Sequence, residues 1–261
     1  MPFVIGIILL IMAYIMYRFK KNKNYCVERF RKGNIIIFGA KGRGKDLFMQ
    51  KIIHARKREP YYSNIPYGYN GKPITIADLT VSPNTYENLI QGEYTKVPDR
   101  FGWDTDVYVS DGGIYLPSQY DSLLSKEYPS LPIFYALSRQ LHNMNLHINT
   151  QALNRIWIKL REQADGYFKA LGTIKIPFFG MIVRVRYFEH YESAKQNILP
   201  FQSILFNKDA KSRAMQHHAT FGIIKDMSLF IRYKHIKYDT YYFRKLLIEE
   251  SDTLSKKDKK S

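Results

Sequence analysis

Asn34-Ile35-Ile36-Ile37-Phe38-Gly39-Ala40-Lys41-Gly42-Arg43-Gly44-Lys45-Asp46 is the stretch that decides the fold. Its first five residues form a short apolar run that stops at a glycine. A strand buried on both faces of a parallel sheet reads this way. The next residues are glycine-rich, and Lys45 to about Lys57 then reads as a helix with Leu47, Phe48, Ile52 and Ile53 inward. Strand, glycine loop and helix in that order form a cradle for phosphate. Glycines let successive backbone N–H groups point into one concavity, and the helix adds its positive N-terminal end.

The spacing Gly39–x4–Gly44–Lys45 is that of the P-loop, whose lysine reaches the β- and γ-phosphates. The nucleotide-binding residues are therefore expected to be Gly39, Ala40, Lys41, Gly42, Arg43, Gly44, Lys45, Asp46 and Leu47, with ATP and Mg²⁺ as ligands. Asp46 stands where Ser or Thr normally ligates the Mg²⁺. A carboxylate is also a hard oxygen ligand, so Asp46 is taken as a metal-ligand candidate. Val107-Tyr108-Val109-Ser110-Asp111 supplies the second. An acidic residue at the end of a strand is the usual second contact to Mg²⁺ in such sites. Gly112 and Gly113 follow Asp111 where a Glu often polarises the attacking water, so no catalytic base is assigned.

Outward from the loop, further strands are expected at Tyr61–Pro66, Asp106–Ser110, Asn145–Thr150 and Tyr167–Lys175. Helices are expected at Ile133–Asn143 and Ala152–Gln163, and a hairpin within Tyr67–Asp78. Met181–Phe188 alternates and reads as an antiparallel edge strand with Arg184 and Arg186 on one face. Strands alternating with helices imply an α/β fold with a central, mostly parallel sheet. The expected divisions are a transmembrane helix 1–17, a basic linker 18–32, the nucleotide-binding domain 33–190, a small mixed extension 191–248 and a disordered tail 249–261.

Residues 1–17, MPFVIGIILLIMAYIMY, carry no charged side chain. As a helix they span about 25 Å, close to the ~30 Å of a hydrocarbon core. Positive charges follow this run instead of preceding it, unlike a secretory signal peptide. The positive-inside rule places Arg18–Lys32 and the body on the cytoplasmic side, at a host or virion membrane. The chain has 261 residues and a formal charge of +17. Residues 18–32 hold +6, the tail 249–261 is neutral, and +11 remains in 33–248. A basic body points to a polyanionic partner, chiefly nucleic acid; an ordinary basic surface is the alternative. The single cysteine, Cys26, excludes both an intrachain disulfide and a Cys-rich zinc site. His217-His218 has no metal partners at a ligand spacing.

Gly39–Asp46, Tyr62-Ser63-Asn64-Ile65-Pro66, Val107–Asp111, and Ser138-Arg139-Gln140 through Asn149-Thr150-Gln151 to Leu160-Arg161 together resemble the zonula-occludens-toxin-like ATPases of filamentous phages. Those are similar to the FtsK–HerA DNA-pumping motors. The resemblance covers about residues 33–190. It implies ATP-driven assembly of virus particles at a membrane, by genome packaging or extrusion. The implied partners are single-stranded or viral DNA, a homo-oligomeric ring and other assembly or capsid proteins. It also implies that Gln151 senses the γ-phosphate, and that Arg139 or Arg161 reaches a neighbouring subunit's nucleotide as an arginine finger. Against this stand a membrane adaptor that binds nucleotide without motor activity, and a small-molecule or nucleotide kinase suggested by Gly44-Lys45-Asp46.

Overall fold

The computed structural model describes residues 2–56, 61–65, 67, 71–79, 101, 105–112, 116, 131–132, 134–135, 144–200 and 210–236. Helix α1 (Pro2–Lys32) leads into β1 (Ile35–Phe38), α2 (Lys45–Arg56), β2 (Tyr61–Ser63), β3 (Gly71–Pro73), β4 (Asp106–Val109) and β5 (Asn145–Thr150). A short α3 (Ile158–Glu162) precedes β6 (Gly166–Ile176) and β7 (Gly180–Phe188). Then come α4 (Tyr191–Lys195), α5 (Ala210–Phe221) and β8 (Ile224–Arg232). The strands form one sheet in the order β3-β2-β4-β5-β1-β6-β7-β8. From β3 to β6 the pairings are parallel, and β7 and β8 add antiparallel strands. The expected α/β class with a mostly parallel sheet is what the chain adopts.

All four residues of β1 are buried. Ile36 and Phe38 join the core on one face of the sheet, and Ile35 and Ile37 join the core on the other. Successive side chains of a strand point to opposite faces, so a strand covered on both sides must be apolar throughout. α2 covers one face with Phe48, Met49, Ile52 and Ile53. Leu153, Ile156 and Leu160 cover the other.

Five expectations are corrected. Residues 18–32 are not a linker: they continue α1 without a break, and Cys26, Val27 and Phe30 pack in the same core as α2. Cys26, Val27 and Phe30 fall within one helical turn at i, i+1 and i+4, so this end of the basic stretch has a core face. The edge at residue 190 is not a boundary either, because β8 pairs with β7 along its whole length. β7 is therefore an inner strand, and Arg186, expected on an open face, is buried in a two-point ion pair with Asp226 (2.6 and 2.9 Å). Arg184 stays exposed. Gly71–Pro73 pairs parallel with β2 instead of forming a hairpin. Finally, Ala152–Gln163 breaks into a 3-10 turn at Leu153–Arg155 and the short α3. Ile156 and Trp157 are extended between them (ψ 143° and 135°), although the inward stripe is as expected. The helix Ile133–Asn143 and the tail 249–261 fall largely or wholly outside the described residues.

α1 changes character along its length. From Phe3 to Tyr17 its large apolar side chains are exposed, and its best window reaches a mean hydropathy of 1.9. By length and composition it is able to cross a membrane.

Candidate nucleotide site

Strand order explains why the glycine loop and the acidic strand end meet. β5 lies between β1 and β4. All three run parallel, so the residues just beyond Phe38, Val109 and Asn149 gather at one edge of the sheet. A crevice at the carboxyl ends of parallel strands is the usual ligand position in an open α/β sheet.

The loop itself needs its glycines. Gly39 has φ +147°, and a Cβ there would lie 2.8 Å from the Ala170 carbonyl oxygen. Gly44 has φ +85°, and a Cβ would lie 2.4 Å from Thr173 Cγ2. Both positions are thus closed to larger residues by backbone conformation and by β6. The Gly44 carbonyl already accepts the Phe48 N–H at 2.9 Å, so α2 begins within the loop. Lys41 and Arg43 are exposed, and Arg43 donates to the Leu171 carbonyl at 3.2 Å. Lys45 is buried, and its Nζ folds back to donate to the Ala40 carbonyl at 3.3 Å. Burial lowers the lysine's pKa, while the charges of Asp46 and Asp111 act in the opposite direction.

Asp46 is the hub of the site. Its Oδ1 accepts from Asn149 Nδ2 (2.6 Å), Ser110 Oγ (2.8 Å) and Tyr67 Oη (3.4 Å). The Ser110 backbone is clasped by Asn64, which accepts its N–H (2.8 Å) and donates to its carbonyl (2.9 Å). β2, β4 and β5 thus all converge on one carboxylate at the start of α2. Burial raises the pKa of Asp46, and the nearby Asp111 raises it further; the hydrogen bonds from Ser110 and Tyr67 and the charge of Lys45 work against this. Asp111 follows β4 in a left-handed conformation (φ 49°) uncommon for a residue with a side chain.

Asp46, Asp111 and Ser110 are hard oxygen donors of the type that Mg²⁺ takes. Among the described residues no group of three or more His, Cys, Asp or Glu gathers as a metal cluster. Few protein ligands are what Mg²⁺ needs when substrate phosphates and water complete its shell. The residues present fit this ion.

The other candidate residues lie as follows. Gln151 stands just beyond β5, and its Oε1 accepts from Arg155 at 3.1 Å. Arg155 is exposed at this strand end. Arg161 is buried; it donates to Tyr191 Oη at 2.8 Å and stacks on that ring, and its own carbonyl accepts from Tyr167 Oη. The guanidinium is thus seated against Tyr191 within its own subunit. Arg139 lies outside the described residues. Sequence reading missed Asn64, Tyr67, Ser110 and Asn149. The available signal was polar residues at or just past the carboxyl ends of apolar strands, where a buried polar group must find a partner.

No protein-family model matches the sequence, and no curated protein matches it. Solved structures do resemble it. One is the N-terminal domain of zonular occludens toxin from Neisseria meningitidis, at 10% identity and TM-score 0.40, over 81% of this chain and 97% of that one. Another is the genome-packaging NTPase B204 of Sulfolobus turreted icosahedral virus 2 with sulfate, at 11% identity and TM-score 0.39, over 77% and 98%. A third is B204, the DNA-packaging ATPase of Sulfolobus turreted icosahedral virus, at 12% identity and TM-score 0.34, over 76% and 97%. At such identities and scores the site's meaning rests on its own geometry. The chain is similar to these proteins over nearly the full length of each.

Proposed function

We propose that the chain is a membrane-anchored P-loop ATPase of a virus, coupling ATP hydrolysis to movement of viral DNA during particle assembly. One observation carries the nucleotide site: Asp46, at the end of the glycine loop beside Lys45, is bonded by Ser110, the residue before Asp111, at the carboxyl edge of the parallel sheet, with β5 between β1 and β4. Loop N–H groups and the start of α2 hold the phosphates, and Lys45 leaves the Ala40 carbonyl to reach the β- and γ-oxygens. Asp46 and Asp111 would hold Mg²⁺, and that ion would supply charge neutralisation at the transferring phosphoryl group. Gln151, just beyond β5, reads the γ-phosphate in this proposal. The viral and DNA-moving part of the reading draws on the sequence resemblance and on the +11 charge of residues 33–248.

A second reading, a nucleotide-binding adaptor that does not turn over, is favoured by Gly112 beside Asp111, where a general base would be expected. Hydrolysis by the full chain in detergent micelles, with and without DNA, separates the two. DNA-stimulated phosphate release that falls steeply with salt supports the motor. Saturable ATP binding with no release supports the adaptor. Phosphoryl transfer to a nucleoside monophosphate would overturn both in favour of a kinase.

A further inference from the structure

The β6–β7 hairpin ends in Pro177-Phe178-Phe179, and Phe178 and Phe179 are 98% and 69% exposed. Phe178 also has φ +65°. That left-handed position favours glycine and is strained for a side-chain residue. Two large apolar rings held out this way form a patch that calls for a cover.

Its position along α1 identifies the cover. Asn22 donates to the Ser228 carbonyl at 3.1 Å, and Phe19 meets Phe230 with ring centroids 6.1 Å apart. Moving toward the start of α1 therefore means moving toward the end of β8. The strand register sets Phe230 opposite Ile182, Arg232 opposite Gly180, and Gly180 opposite Ile176. The hairpin tip thus lies beyond the level of Arg232. Met16 and Arg232 line one cavity of about 290 Å³, while Tyr14 and Ile15 line a second of about 410 Å³ with Ile174 and Ile182. The tip accordingly reaches the level of the uncharged segment of α1.

Behind the tip the surface turns cationic. Lys20 and Lys23 of α1, Lys51 of α2 and Arg232 of β8 line the first cavity, and no acidic residue does. Burial, with the charges of Lys23 and Arg232, holds the Lys51 amine below its usual range. Lys20 and Lys23 stand three and six residues past Tyr17, about 4.5 and 9 Å along the helix, which brackets the ~5–7 Å headgroup layer. Cations at that height meet lipid phosphates.

We propose that the β6–β7 hairpin tip is a second membrane contact, with Phe178 and Phe179 entering the bilayer beside α1 while Lys23, Lys51 and Arg232 bind anionic phospholipid headgroups. It rests on the reading of residues 1–17 as the anchor. Two points of contact would fix the nucleotide site's orientation to the membrane, where a single helix leaves it free to rotate.

The test is fluorescence quenching of the full chain in vesicles containing acyl-brominated lipid. Phe178→Trp and, as control, Tyr14→Trp are compared with the unmodified protein to subtract Trp103 and Trp157. Loss of fluorescence at both positions is expected. At Phe178→Trp the loss should be larger when phosphatidylglycerol is present, and Lys51→Gln/Arg232→Gln should remove that increment. Quenching at Tyr14→Trp alone overturns the second contact and leaves the anchor standing. Quenching at neither overturns the anchor as well. A blue-shifted but unquenched Phe178→Trp assigns the tip to a protein contact and overturns the proposal. An identical response with and without phosphatidylglycerol, with or without the Lys51/Arg232 changes, overturns the headgroup site.

Discussion

Asn149→Leu removes the shortest hydrogen bond to Asp46, 2.6 Å from the amide nitrogen, without much change of volume. A hydrogen bond to a charged group contributes about 1.5–3 kcal/mol, and a mostly buried carboxylate has little water to replace it. The variant should therefore lose about 2 kcal/mol, roughly 4–8 °C of melting temperature for a chain of this size. The penalty has a pH signature. It exists only while Asp46 is ionised, so it should be full at alkaline pH and shrink as pH falls through the raised pKa of Asp46. The assay is thermal unfolding of the full chain in detergent, run as a double-mutant cycle with Asp46→Asn. Coupling of about 1.5–3 kcal/mol is expected between the two positions. A penalty of equal size in the Asp46→Asn background would refute the idea that Asn149 acts through the carboxylate.

Gly44→Ala forces a side chain into φ +85° and against Thr173 Cγ2 at 2.4 Å. Nucleotide affinity should fall at least tenfold, and Thr173→Ser, which removes that methyl group, should restore part of it in a ligand titration. Phe30→Ala should cost about 3–5 kcal/mol in thermal unfolding of the body, since the ring is fully buried among Phe48, His147 and Phe168. A linker residue would cost almost nothing. Asp106→Leu strands the buried Arg56, paired with it at 2.8 Å, and should cost about 3–5 kcal/mol by the same measurement. Mg²⁺ affinity of the nucleotide-bound protein should decline as pH falls through the raised pKa of Asp46, because only the ionised carboxylate ligates metal. In Asp46→Asn that decline should shrink.

What the sequence made legible was local. The IIIF run, the glycine spacing and the helix after it are contiguous, so periodicity and turn chemistry suffice to read them. Asn145–Thr150 was legible for the same reason. What lay hidden depended on distant pairing. That β5 separates β1 from β4, and so carries Asn149 to Asp46 across 103 residues, follows from strand order, which no local pattern encodes. β8 was passed over although Met227, Leu229 and Ile231 alternate inward, because its partner is β7 and the pattern alone does not say so. The contact of Arg161 with Tyr191 follows from the break at Ile156–Trp157, which the expected continuous helix Ala152–Gln163 did not contain. The basic stretch 18–32 concealed its core face because Tyr25, Cys26, Val27 and Phe30 are sparse among charges.

The most direct test of the nucleotide site is equilibrium titration of the full chain with a fluorescent ATP analogue, beside Lys45→Ala. Saturable, Mg²⁺-dependent binding by the unmodified chain and its loss in Lys45→Ala is the predicted result. Absence of binding, or binding that Lys45→Ala leaves unchanged, would contradict the assignment of Gly39–Asp46 as the phosphate loop.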